Sequence, residues 1–106
     1  AAIVEETRTA GDLLVELAKR SSAYYAPSAA VADLADSVHM NLNRVFSVSV
    51  PLQGEYGAPE GGALSLPAAV GEQGAARIFT PELTAEERGV VLDSAKLLAA
   101  VAGGAA

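Results

Sequence analysis

Cysteine and tryptophan are absent from this 106-residue chain, and the only purely apolar rings are Phe46 and Phe79. Without cysteine there is no disulfide and no thiolate metal site. His39 is the sole histidine, which excludes a two-histidine metal centre, and no carboxylates show convincing ligand spacing. Basic residues are also scarce. Seven Lys and Arg are scattered against thirteen Asp and Glu, leaving a net charge of −6. Nucleic-acid binders need a basic stripe, so that class is excluded. No apolar run reaches the ~18 residues of a membrane span. The opening Ala1-Ala2-Ile3-Val4-Glu5-Glu6 has no basic n-region, so no signal peptide is expected and a cytoplasmic setting is.

The residues that are present describe one domain. About half are hydrophobic, but many of these are alanines, which bury little area. A chain this short buries roughly 60–70% of its unfolded surface. A thin core is therefore expected, helped by a neighbouring domain or subunit.

Periodicity sets the elements. Ile3 and Val4 already look helical, and Leu13, Leu14, Leu17 and Ala18 share one helical face. Arg8 to Asp12 and Glu16 to Arg20 are opposite charges at i, i+4. Gly11 predicts a kink near Ala10. A second helix is predicted over 23–42 on Val31, Leu34, Val38 and Leu42, with Pro27 in its first turns, where proline is best tolerated. From Arg44 the period falls to two: Phe46, Val48 and Val50 alternate with serines, and Pro51 ends the strand.

A turn-rich stretch follows over 53–62. Residues 63–70 read as a second strand interrupted at Pro67, and 75–79 as a third, closing an antiparallel meander. Thr84 and Glu87 form a capping box for a last helix, with Val91, Ala95, Leu98 and Ala102 on one face and Gly103-Gly104 as its stop. The fold class is α+β: long amino-terminal helices, a three-stranded antiparallel meander and a carboxy-terminal helix.

Catalytic equipment is hard to find. His39 lies within the second helix, where only Asp36 could touch it, so it reads as a surface or partly buried structural residue. No G-x-G-x-x-G or G-x-S-x-G occurs. Gly54-Glu55-Tyr56-Gly57 and Gly71-Glu72-Gln73-Gly74 suit positive φ in turns better than a phosphate cradle. Arg8, Arg44 and Arg77 could grip a carboxylate, but solvated roles suit them better. One run stands apart. Ser22-Ala23-Tyr24-Tyr25-Ala26-Pro27 puts small, aromatic and helix-breaking residues at a helix junction. Read from the residues alone, it is either a pocket lining or ordinary helix packing that buries Tyr24 and Tyr25.

The same run carries a resemblance. Val4-Glu5-Glu6-Thr7-Arg8-Thr9, Gly11, then Ser22 to Pro27 and Ala29-Ala30 closely resemble the carboxy-terminal half of the lactate-dehydrogenase-like malate dehydrogenases. The likeness continues in Arg44-Val45, Gly54-Glu55-Tyr56-Gly57, Leu66-Pro67, Val70-Gly71, Gly74, Ile78 and Ser94-Ala95-Lys96. Ser21, Ala10 and the loop Asn41-Leu42-Asn43 depart from the family pattern.

The resemblance implies that residues 1–106 form the α+β substrate domain, without the amino-terminal Rossmann domain that binds NAD. It implies interconversion of malate and oxaloacetate by hydride transfer, a reaction of the tricarboxylic acid cycle. It also implies a homo-oligomer. The pocket wall it assigns is Ser22, Ala23 facing the reacting carbon, and Pro27 near the nicotinamide ring. The H-G-D histidine, its Asp partner and the substrate arginines lie upstream in the family. No catalytic residue is therefore expected here, His39 included, and the isolated chain is expected to be inactive. The alternatives are a lactate dehydrogenase domain and a non-catalytic binding or assembly module of the same fold.

Overall fold

The computed structural model describes residues 2–19 and 24–104. The chain divides into two units, Ala1–Ala35 and Asp36–Ala106.

In the first unit, α1 spans Ala2–Ala18. It stays helical through Ala10 and Gly11. One glycine costs a helix about 1 kcal/mol, too little to break a 17-residue segment. Arg8 pairs with Glu5 at 3.9 Å rather than with Asp12, and both side chains are largely exposed. Such a pair stabilises little. The expected Glu16 to Arg20 pair falls outside the described residues. No residue of α1 is buried, and Leu13, Leu14 and Leu17 stand uncovered.

α2, Tyr25–His39, begins in the first unit and ends in the second. It stops short of the expected Leu42, for a local reason. Asn41 adopts a left-handed φ of 50°. The Leu42 N–H reaches back to the Ser37 carbonyl at 2.9 Å, and the Asn41 N–H to the Val38 carbonyl at 3.3 Å. This is a Schellman cap with asparagine in the usual glycine place.

The second unit carries a sheet of order β1-β2-β3, antiparallel throughout. β1, Arg44–Pro51, alternates as expected: Phe46 and Val48 are half-buried, Val50 is buried, and Ser47 and Ser49 are exposed. β2, Ala63–Gly71, pairs with β1 from Arg44↔Val70 to Pro51↔Ala63. It runs through Pro67 without the expected interruption. The Leu52 N–H to Gly62 carbonyl bond places even-numbered backbone groups of β1 and β2 toward each other. The Pro67 carbonyl instead accepts the Phe79 N–H at 2.8 Å, on the β3 side. The donor proline lacks therefore belongs to the last rung of the β2–β3 ladder. Accordingly β3, Gly74–Ile78, ends one residue before Phe79.

A 3₁₀ turn, Glu55–Gly57, bridges β1 and β2. Helix α3, Ala85–Gly104, then packs on β2. It continues through Gly103 and Gly104, which slow but do not forbid a helix in an alanine-rich tail. The core between them is thin, as expected: Val50, Leu52, Ala58, Leu66, Ala68 and Ala95. Two of its larger members come from β1 and its exit, and three of the six are alanine. No helix among the described residues is long and apolar enough to cross a membrane.

One fully buried polar side chain ties these parts together. The Ser37 hydroxyl, in the last turn of α2, donates to the Val70 carbonyl at 2.7 Å and accepts the Arg44 N–H at 3.3 Å. It sits within the end rung of the β1–β2 ladder. Beside it, the Asn41 carboxamide oxygen accepts the Glu72 N–H at 3.1 Å. A Cβ at Gly71 would stand 2.5 Å from that oxygen and 2.6 Å from Asn43 Oδ1. Close approach, not positive φ, thus favours glycine at this place, since a Cβ would have to displace the Asn41 and Asn43 carboxamides.

Ser37→Ala removes the acceptor of the part-buried Arg44 N–H and the donor to the Val70 carbonyl, and is expected to cost about 2 kcal/mol. An unchanged urea midpoint would contradict this. For α3, Glu87 Oε2 accepts the Thr84 N–H at 2.9 Å, and Thr84 Oγ1 accepts the Glu87 N–H at 3.3 Å. The Thr84 backbone bond, and after it the Thr84 hydroxyl, hold the Glu87 carboxyl below its usual range. Its contribution is complete above the ordinary carboxylate range and is lost as pH falls through the depressed value. Thr84→Ala should cost ~1 kcal/mol near neutrality. The gap in Tm between the two proteins should narrow on acidification through that value; a gap independent of pH would refute the coupling.

Candidate functional site

The helix junction around Pro27 is built by its own sequence. The Tyr24 carbonyl accepts the first α2 bond, from the Ser28 N–H at 2.8 Å. The N–H groups of the preceding turn have no helical partner, so proline at 27 removes no helical bond. Its ring is fixed on an exposed first turn. Ser22 and Ala23, the other expected pocket residues, lie outside the described residues.

Tyr24 and Tyr25 are not buried in helix packing. Tyr25 is 80% exposed and Tyr24 49%. Their rings sit 4.5 Å apart between centroids, tilted by 39°. Interaction with the neighbouring Tyr25 side chain pushes the Tyr24 phenol above its ordinary value, and desolvation adds to this. The junction therefore presents two adjacent phenols and a rigid pyrrolidine ring to its surroundings.

The other candidate groups resolve into structural roles. His39 is exposed at the end of α2. Arg77 lies over the Phe79 ring, 4.9 Å from its centroid. Arg44 contributes its backbone N–H to the Ser37 bridge. Among the described residues no three His, Cys, Asp or Glu side chains could hold a metal ion. Gly54 and Gly74 have φ of 100° and 82°, as turn glycines should, and the Gly57 N–H is turned inward to the Gly54 carbonyl.

Three residues do defined work that the sequence does not assign to them. Ser37 and Asn41 make the contacts described above. Arg88 directs Nε and Nη2 onto the Tyr56 carbonyl, at 3.2 and 2.9 Å, while the Tyr56 hydroxyl donates to the Pro81 carbonyl at 2.7 Å. Tyr56 itself has a φ of 56°, and the Arg88 fork holds its peptide in that left-handed turn. The signal available was Asn41 at a helix end; nothing local marks Ser37 or Arg88.

The second unit also carries an open groove of about 640 Å³ between α3 and the β1–β2 hairpin, lined mainly by apolar side chains including Leu64, Val90, Leu98 and Val101.

Comparison with known proteins places these features. Residues 1–104 match the family described as lactate/malate dehydrogenase, alpha/beta C-terminal domain. Malate dehydrogenase from Heliobacterium modesticaldum is 41% identical over 105 residues, covering 96% of this chain and 34% of the relative. Malate dehydrogenase from Bacillus pumilus is 42% identical over 87 residues, covering 82% and 28%. Among solved structures, malate dehydrogenase from Aeropyrum pernix superposes with a TM-score of 0.80 at 29% identity, covering 94% of this chain and 34% of that one. The enzyme from Salinibacter ruber gives 0.82 at 28% identity, with 94% and 32% covered. The chain thus spans about a third of the length of the relatives it matches.

The tyrosine pair gives a direct check. Replacing Tyr25 with Phe removes the hydroxyl that raises the Tyr24 value. In an ultraviolet titration of phenolate absorbance, the Tyr24 step should then move down toward the ordinary phenol range. A titration curve unaltered except for the loss of one tyrosine would disprove the pairing.

Proposed function

The chain belongs to the lactate/malate dehydrogenase family, as its alpha/beta carboxy-terminal domain, and from that premise we propose that it supplies the substrate-side wall of an NAD-dependent malate dehydrogenase. The observation that carries this reading is the match over residues 1–104, together with curated relatives that are malate dehydrogenases at about 40% identity.

In this reading Ser22, Ala23 and Pro27 line the pocket. A small side chain at 23 leaves room for a four-carbon dicarboxylate. Pro27 brings an apolar ring to the first turn of α2 and limits water there. NAD, when bound, supplies the nicotinamide carbon that exchanges hydride with C2 of malate.

The described residues do not fit the phosphates of that cofactor. The Gly57 N–H turns inward to Gly54, and the Glu72 N–H to Asn41. Cofactor binding is accordingly assigned to a Rossmann domain outside this chain. The acid–base step is assigned there too. His39 is exposed, without a hydrogen-bonded carboxylate among the described residues. A homo-oligomer in the cytoplasm completes the reading. Support for a partner surface comes from α1, whose Ile3, Leu13 and Leu17 are all more than half exposed.

The isolated chain, mixed with oxaloacetate and NADH, should produce no loss of nicotinamide absorbance above the blank; turnover near that of an intact dehydrogenase would defeat the assignment. In the enzyme that contains this chain, Ala23→Leu should lower kcat/KM for oxaloacetate about tenfold, ~1.4 kcal/mol, with the KM for NADH unchanged. An unaltered kcat/KM would remove Ala23 from the pocket. A preference of that enzyme for pyruvate over oxaloacetate would assign the domain to a lactate dehydrogenase instead. Light scattering should give a mass above that of the monomer, and a strictly monomeric species would end the oligomer part of the proposal.

A further inference from the structure

We draw no further inference here: the strongest candidate, the open apolar groove between α3 and the β1–β2 hairpin bordered by Leu64, Val90, Leu98 and Val101, carries nothing because nothing in the structure shows what covers it.

Discussion

The second unit depends on a single hydroxyl. Where β1 begins and β2 nears its end, the Arg44 N–H and the Val70 carbonyl bond to Ser37 Oγ. The side chain of a helix thereby becomes part of a sheet ladder. Three constraints meet there. The Schellman cap ends α2 through the Ser37 carbonyl, the hydroxyl of the same residue fixes the β1–β2 register, and the following asparagine secures the β2–β3 turn through Glu72. With a core this poor in large side chains, such a joint matters more than it would in a domain with a full apolar interior. A buried hydroxyl with both its donor and its acceptor role satisfied has few equivalent arrangements, so it specifies one geometry.

How far the sequence could reveal this depended on whether the deciding interaction was local. Thr84 and Glu87 lie three residues apart, and their reciprocal bonds could be read directly. The alternation from Phe46 to Val50 is also local, and it gave the buried face of β1 correctly. Pro27 was legible for the same reason, since only the first helical turn spares its missing donor. Ser37 was not legible: its partners are seven and thirty-three residues away, and its neighbours in sequence are ordinary helix residues. Gly71 looks like a turn glycine, yet what crowds it is a pair of asparagine side chains about thirty residues earlier. Pro67 looked like a break because its effect falls on a different strand from its own. Of the expected pocket, Pro27 alone falls among the described residues.

The division of chemical labour in the proposed enzyme agrees with these physical features. The chain is acidic, its one imidazole is exposed, and Arg77, Arg88 and Arg8 are engaged by a ring, a carbonyl and a neighbouring carboxylate in turn. Among the described residues no side chains are arranged to move a proton in a sheltered site. What the chain offers is shape: a rigid proline at a helix start, small residues beside it, and a sheet-backed helix. Leucines on α1 and α3 also stand exposed.

Pro67 has a further consequence, one of phase. Along β2 the backbone donors point alternately to one neighbour and the other, so a residue without a donor harms whichever ladder it faces. At 67 that ladder is already finishing, and the loss merely releases the chain after Phe79 toward the cap of α3. Shifted by one position, to 66 or 68, the same ring would take a donor from the middle of the long β1 pairing. The central strand can therefore carry a proline on odd numbers near its β3 boundary and nowhere between them, a parity rule that a count of strand-breaking residues would never contain.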